Sequence, residues 1–248
     1  MPWSGNQKVS SRAYFESVIQ KVETSQVNFS RVGNVNFAAG LPIARLQPYM
    51  EQSGGNLPQA INCYLWNIEI SSAFWGSFHL LEVSLRNALD KQLTRNLGDS
   101  GWWNNQDKLH KVEYQRIQEV VFASSKGSAP LTSGSITAGA SFGFWVSLLD
   151  RKNHQGLWVN NLEHAFPNYE GKRSELHGNL YRLRKLRNRI AHHEPIHNRD
   201  LARDQQIICE ILGYINKIDE SVLRNYSRVP SILQNKQASI LGKNPIAF

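Results

Sequence analysis

The sequence predicts an all-α fold, and three observations support this. Apolar residues recur at three- and four-residue spacing in several long segments, which is the period of an amphipathic helix. The alternation of apolar and polar residues that is typical of strands is scarce. The chain has 248 residues, of which 41% are hydrophobic and only 19% charged, so it is long enough and apolar enough to bury a core. We expect one domain over residues 1–248.

In the N-terminal half, residues 1–10 are expected to be loosely ordered. Residues 11–23 carry Tyr14, Val18 and Val22 at helical spacing, and 41–52 predicts a short helix broken near Pro48. The longest predicted helix covers 59–98, up to a glycine at its end. It is apolar on nearly all sides, which predicts a central place in the core or at a subunit interface.

The C-terminal half is also predicted to be helical. A helix over 108–124 is followed by a Gly/Ser/Pro-rich segment, 125–140, which we expect to form a mobile loop. Ser141 is a candidate N-cap for a buried helix that ends at residue 151. Further helices are predicted over 156–166, 173–193 and 199–224.

The composition predicts a basic protein with polyanionic partners. There are 28 Lys and Arg against 20 Asp and Glu, giving a formal charge of +8 and a pI near 9.6. Such a balance favours RNA or DNA through phosphate contacts, although it also fits a role in solubility alone. Cys63 and Cys209 lie in apolar helical patterns and are expected to be buried thiols. Without an apolar signal region or a run of about 18 apolar residues, we expect a cytoplasmic protein with no membrane contact.

The segment RNRIAHHEP, residues 187–195, carries the candidate site. On a helix with 100° per residue, an apolar stripe runs along 176–190, and Arg187 falls about 20° from its first leucine. An arginine aimed at a core is costly unless it is paired or faces a polar pocket. This misplaced charge marks Arg187 as a candidate functional residue.

His192 follows Arg187 by five residues, so on one straight helix the two side chains point about 140° apart. Two geometries would let them act together. The helix could unwind at its end, because Glu194 precedes Pro195, or the two side chains could line one cleft between two copies of the helix. The second geometry predicts a homodimer. The structural alternative is that the histidines cap the last turn while Arg187 forms a core ion pair.

Arginine with histidine suits metal-independent cleavage of RNA. Histidine can take the 2′-hydroxyl proton or protonate the leaving oxygen near neutral pH. Arginine can hold a phosphate bidentately and stabilise the charge that develops on it. Asn188 could add a hydrogen bond to the phosphate or to the arginine.

An acidic partner for this pair is expected on the long helix over 59–98. Glu82 and Arg86 stand at i and i+4, in the order that favours a helical ion pair. Glu82 could pair with Arg86 or Arg187, or orient His192; a purely structural ion pair is the other interpretation.

Neither a metal site nor a bound cofactor is predicted. His193 and His197 flank Glu194, but Pro195 interrupts the helix that would align the two histidines, and no cysteine is nearby. The sequence has no serine nucleophile elbow and no glycine-rich nucleotide-binding loop.

Four ordered segments resemble the Abi-like (abortive infection) branch of the HEPN superfamily. They read INCYLWNIEISSAF, LLEVSLRNALDKQL, SFGFWVSLL and LRNRIAHHEPIH, and they lie between residues 61 and 197. The last one matches the superfamily's pattern of an arginine and a histidine with four to six residues between them, the first of which is polar. Arg187, Asn188 and His192 occupy those positions.

The resemblance implies a HEPN-like helical bundle with additional helices, in which Arg187 and His192 are catalytic and Asn188 supports them. Glu82 and Arg86 match an acidic-and-basic motif in an earlier helix of some members, and His193 adds a histidine to which the motif gives no firm role. Many members are metal-independent endoribonucleases that act as toxins or antiphage effectors, and they commonly dimerise so that two motifs face one cleft.

Two functions are therefore expected at this point. The first is an endoribonuclease-type effector of abortive infection or a toxin–antitoxin pair, acting on RNA by 2′-hydroxyl attack, with an antitoxin or regulatory protein as a possible partner. The second is a helical module without catalysis that binds nucleic acid or a protein, since some members of the superfamily lack activity.

Overall fold

A computed structural model gives the architecture of the chain and describes residues 40–97, 101–126, 132–159 and 161–248. Most of these residues are helical, and none of them forms a strand. This confirms the all-α prediction. The predicted helix over 11–23 and the loosely ordered start over 1–10 lie outside the described residues.

Ten α-helices are described, numbered here in chain order. They are α1 (Ile43–Gln52), α2 (Leu57–Leu97), α3 (Lys111–Ser125), α4 (Ser133–Gly139), α5 (Phe142–Ser147), α6 (Arg173–Ala191), α7 (Leu201–Ile215), α8 (Lys217–Tyr226), α9 (Val229–Gln234) and α10 (Lys236–Ile240). Short 3-10 turns occupy Trp102–Asn104, Arg151–Asn153 and Leu162–Ala165, and a π turn covers His154–Trp158. No helix in this part of the chain combines the length and apolar character that crossing a bilayer requires.

The chain divides into two compact units at Ile70/Ser71 and Pro230/Ser231. The described part of the first unit runs from residue 40 to Ile70 and from Ser231 to the end. Its core is built from α1 and the first turns of α2. Asn62 donates a hydrogen bond from Nδ2 to the carbonyl oxygen of Ile240 at 3.1 Å, which ties α2 to α10. The single domain that we predicted over 1–248 stays a prediction.

Both cysteines are buried and free, as the sequence predicted. Cys63 lies in the core of the first unit, where burial raises the pKa of its thiol to about 11 and Lys236 opposes that shift. Burial also raises the pKa of Cys209, on α7 in the second unit. Neither thiol is therefore poised as a nucleophile near neutral pH.

The second unit, Ser71–Pro230, holds every candidate residue of the sequence analysis. Within it α6 packs against both α5 and α7, and α7 packs against α8. Asp204 of α7 is fully buried and accepts hydrogen bonds from Arg182 of α6 at 2.5 Å and from Arg199 at 3.2 Å. A buried carboxylate that neutralises two arginines fixes α6 and the segment after it on α7.

The predicted loop over 125–140 is wrong for residues 133–139, which form α4. Thr132 and Ser135 cap each other reciprocally, with the Ser135 backbone amide donating to Thr132 Oγ1 at 3.2 Å. Ile136 is fully buried, and Gly139 lies so close to α3 that an added Cβ would stand 2.8 Å from Val120 Cγ1. Capping and burial thus outweigh the loop-forming composition of this segment.

Four further helix predictions need correction. The helix that starts after Ser141 ends at Ser147 and not at residue 151, and the predicted helix over 156–166 falls on the π turn and the 3-10 turn at Leu162–Ala165. The helix α1 continues through Pro48 instead of breaking there. The last predicted helix, 199–224, is two helices, because Asn216 adopts an extended backbone (φ −155°, ψ 122°) that ends α7. The same residue starts α8, since its Oδ1 accepts a hydrogen bond from the Ile218 amide at 3.0 Å.

Candidate functional site: an arginine pocket on helix α6

Helix α6 has the apolar stripe that the sequence predicted. Its buried residues are Leu176, Leu180, Leu183, Leu186 and Ile190. Arg187 stands at the edge of this stripe with its side chain 32% exposed. An arginine at such a position needs a partner.

Glu82, from the middle of α2, is the partner of Arg187. Arg187 Nε donates a hydrogen bond to Glu82 Oε1 at 3.0 Å, and the glutamate side chain is 26% exposed. The guanidinium carbon of Arg187 also lies 5.5 Å from the ring centroid of Trp75, two turns earlier on α2. The carboxylate and the ring hold the guanidinium at the rim of the core, with Nε facing the carboxylate at 3.0 Å.

Arg187 lines a pocket of about 280 Å³. The pocket is lined by Arg116, Ser141, Phe142, Gly143, Phe144, Arg184, Arg187 and Asn188. Three arginines from two helices converge here, and none of the described residues in the lining is acidic. Guanidinium groups suit the bidentate recognition of phosphate.

The wall of the pocket opposite α6 is the start of α5. Ser141 Oγ accepts a hydrogen bond from the Phe144 amide at 3.2 Å, so it is the N-cap that the sequence predicted. Phe144 stacks on Trp102, with centroids 6.2 Å apart and an interplanar angle of 18°. Gly143 has no side chain to fill the pocket, and a Cβ there would stand 3.4 Å from Arg184 Cδ. The aromatic packing therefore fixes a wall that leaves room beside Arg184.

Arg116 reaches the pocket from α3, whose position depends on a buried carboxylate. Glu113, one turn earlier, is fully buried, and its Oε1 lies 2.8 Å from Lys152 Nζ. This ion pair joins α3 to the 3-10 turn at Arg151–Asn153. Arg116, one turn further along α3, therefore lies on a helix that this ion pair fixes in place.

The end of α6 forms a Schellman motif. The His193 amide donates to the Ile190 carbonyl at 3.0 Å, and the Glu194 amide donates to the Arg189 carbonyl at 2.8 Å. His193 takes the left-handed position (φ 56°) that glycine usually fills. Glu194 Oε2 also lies 3.3 Å from Arg189 Nε. The helix thus closes tightly, with His192 as its C-cap residue.

His192 and His193 are exposed at this helix end and do not line the arginine pocket. The His192 amide still donates to the Asn188 carbonyl at 2.9 Å, in helical register. The unwinding that would bring His192 to Arg187 within one chain is therefore absent from the described helix end. The structure brings Arg187, Asn188 and Glu82 together and leaves the two histidines outside this group.

Arg86 lies one turn after Glu82 on α2 and is partly buried. Its Nε is buried and has no hydrogen-bond partner among the described residues. One turn further, Asp90 Oδ1 accepts hydrogen bonds from Trp102 Nε1 at 2.8 Å and from Thr137 Oγ1 at 3.0 Å. The acidic-and-basic motif thus contributes the partner of Arg187, whereas Arg86 is not among the pocket residues.

Sequence reasoning missed two of the three pocket arginines. Arg184, Arg187 and Asn188 stand at i, i+3 and i+4, a spacing that places them on one face of a helix. This spacing was a usable signal for Arg184. Arg116 had none, because only the packing of α3 brings it to the pocket.

His193, Glu194 and His197 have the H-E-x-x-H order of zinc proteases, so their spacing does not by itself exclude zinc. In those enzymes both histidines lie on one helix. Here α6 ends at Ala191, His193 is left-handed and exposed, and His197 is buried. Within the described ranges, no group of three or more His, Cys, Asp or Glu side chains could hold a metal ion.

No protein-family model matches this chain, and no curated protein or solved structure matches it either. The HEPN resemblance therefore rests on the four sequence segments alone. The function has to be inferred from the side chains of the second unit.

Proposed function

We propose that this chain is a HEPN-like helical bundle that binds RNA through the arginine pocket and cleaves it without a metal. The observation that carries the proposal is the convergence of Arg116, Arg184 and Arg187 with Asn188 around a space of about 280 Å³. A phosphate held there would be surrounded by donors and positive charge. The net charge of +8 would increase the rate of encounter with RNA.

The proposed reaction is transesterification at one phosphate. The 2′-oxygen attacks the adjacent phosphorus while the imidazole of His192 accepts the 2′-hydroxyl proton. The bond from phosphorus to the 5′-oxygen then breaks, and an imidazolium supplies the proton to that oxygen. The products are a 2′,3′-cyclic phosphate and a 5′-hydroxyl. Arg187, oriented by Glu82, would stabilise the charge of the phosphorane.

A second copy of the chain is part of this proposal. Since His192 lies outside the pocket that Arg187 lines, a homodimer would let one copy's histidine reach the phosphate held by the other copy. A dimer by light scattering at micromolar concentration is the expected result. A monomer that still cleaves RNA would contradict this arrangement.

The endoribonuclease test uses purified protein, total RNA and EDTA. Wild type is expected to produce fragments that end in 2′,3′-cyclic phosphate, and Arg187→Ala or His192→Ala should abolish them. His79→Ala is the matched control, because His79 is an exposed histidine of α2 outside the arginine pocket. Cleavage that survives in the His192→Ala variant would overturn the assignment.

A non-catalytic module that binds nucleic acid or a protein is the second candidate. The exposed position of His192 favours it, because one copy presents a phosphate pocket without a histidine. Tight RNA binding without cleavage, in wild type and in His192→Ala alike, would support it. For the endoribonuclease, the HEPN resemblance also supports a role as a toxin or antiphage effector with an antitoxin or regulatory protein as partner, and we propose that it acts in the cytoplasm.

A further inference from the structure

Two exposed aromatic rings lie beside the arginine pocket, and each is in contact with one of its arginines. Trp75 on α2 is 41% exposed, and its ring centroid lies 5.5 Å from Cζ of Arg187. Tyr181 on α6 is 39% exposed, and its centroid lies 4.7 Å from Cζ of Arg184. Two of the three arginines that line the pocket thus also lie over a ring.

A second cation strengthens this pattern at Tyr181. Lys185 Nζ lies 4.6 Å from the same ring centroid, so an arginine and a lysine both adjoin one tyrosine. If the ring only packed against the methylene groups of an arginine, the residues around it would not need to be cationic. Here the surroundings of the ring are cationic, and the neighbouring pocket is lined by arginines. This combination of rings and guanidinium groups is typical of surfaces that bind nucleic acid strands.

We infer that this surface binds an unpaired RNA strand, with one phosphate in the pocket and bases stacked on Trp75 and Tyr181. The inference rests on the proposed function, in which the pocket takes a phosphate of RNA. The faces of bases inside a duplex are already stacked on their neighbours, and the rings cannot reach them. An unpaired strand offers these faces together with its phosphates. The two rings thus select for the single strand, while the arginines supply affinity for any phosphate backbone.

The chain offers matched control rings. Phe122 is 63% exposed and Tyr226 is 82% exposed, and neither lines the arginine pocket. Phe122 even has a cation over its ring, since Lys126 Nζ lies 4.3 Å from the centroid. Substitutions of Phe122 and Tyr226 therefore show the effect of losing an exposed ring or a cation–π contact elsewhere on the surface. Any additional effect at Trp75 or Tyr181 is due to the position of these rings beside the pocket.

The test is a binding titration by fluorescence anisotropy with a labelled 12-nucleotide RNA, alone or paired with its complement. All proteins carry His192→Ala, so that cleavage does not consume the probe. We expect the unpaired strand to bind more tightly than the duplex. Trp75→Ala and Tyr181→Ala should each weaken strand binding by roughly tenfold, with little change for the duplex. Trp75→Phe and Tyr181→Phe should restore most of the affinity, and Phe122→Ala and Tyr226→Ala should not change it.

Equal affinity for strand and duplex, or alanine variants that bind the strand as well as the parent protein does, would overturn the inference. Circular dichroism and thermal unfolding of each variant show whether it folds, and the phenylalanine variants preserve the test if an alanine variant does not. Failure of the endoribonuclease proposal gives a different result. In that case wild type leaves total RNA intact, while the strand preference and its dependence on the two rings persist.

Discussion

Arg187 Nε and Glu82 Oε1 lie 3.0 Å apart and join α6 to the middle of α2, across 105 residues of sequence. Both side chains are about one quarter to one third exposed. The pair therefore orients an arginine toward a pocket more than it stabilises a core. Its contribution to folding and its contribution to the proposed binding and cleavage of RNA can be measured separately.

Glu82→Ala is expected to cost only about 0.5–1 kcal/mol of unfolding free energy, since partly exposed ion pairs are weak. RNA cleavage, or RNA binding if the chain does not cleave, should fall about tenfold or more because Arg187 loses its orienting partner. Urea unfolding and the RNA assay measure the two effects. Glu210→Ala is the control, because Glu210 pairs with Arg203 at the same 3.0 Å distance outside the pocket. Equal effects of the two substitutions on RNA would contradict the role of Glu82.

Arg184→Ala should make RNA binding less dependent on salt. An arginine that neutralises one phosphate releases counterions when it binds, so its removal reduces the slope of log K against log salt by about 0.7 for a single strand. Arg116→Ala should give a similar change, whereas Arg203→Ala should leave the slope as it is in wild type. Anisotropy titrations between 50 and 300 mM salt are the measurement. An unchanged slope for Arg184→Ala would show that Arg184 does not neutralise a phosphate of the bound RNA.

His177 should make the protein less stable in mild acid. Burial lowers the pKa of His177 below its ordinary value of 6.5; Asp150 opposes the shift, and Arg173 and Arg184 add to it. The folded chain thus binds this proton less tightly than the unfolded chain does, so stability falls as the pH drops below about 6.5. His177→Gln should therefore lose less stability between pH 7.5 and pH 5.5 than wild type, as measured by urea unfolding. The same loss in both proteins would show that other groups govern the pH dependence.

His193→Gly should be more stable than His193→Ala, since both variants lack the imidazole and only glycine suits the left-handed backbone. A side chain in the left-handed region costs about 1–2 kcal/mol, and glycine avoids this cost while losing some entropy on folding. We expect the glycine variant to exceed the alanine variant by a few tenths to about 1 kcal/mol in unfolding free energy. His192→Gly is the control, because its backbone (φ −94°, ψ 10°) gains nothing from glycine. Equal stability of His193→Gly and His193→Ala would contradict the cost assigned to the left-handed backbone.

The sequence predicted those parts of the site that depend on one helix. The stripe on α6 and the unusual position of Arg187 follow from a period of 3.6 residues, and Ser141 is the N-cap that its position suggested. The sequence left open whether Glu82 pairs with Arg86 or Arg187 or orients His192, and only the packing of α2 beside α6 selects Arg187. Arg116 and Trp75 could not be assigned, because their places at the pocket depend on tertiary contacts.

Predictions from local sequence pattern were wrong for several segments, among them the one before Ser141 and the one around Asn216. The glycine- and serine-rich segment before Ser141 indicated a loop, but the burial of Ile136 and Thr137 stabilises a helix there. The apolar pattern continues past residue 215, so no periodicity marks the break at Asn216. The backbone of a single asparagine ends one helix and starts the next.

The C-terminal end of α6 cannot act as a hinge, because hydrogen bonds to the last turn of the helix close it. The amides of His192, His193 and Glu194 all donate into the last turn of the helix. Swinging His192 toward Arg187 within one chain would break these three bonds, at a cost of about 0.5–1.5 kcal/mol each. Deuterium should accordingly enter these amides only when the helix itself opens. An encounter between two rigid copies would leave all three bonds intact.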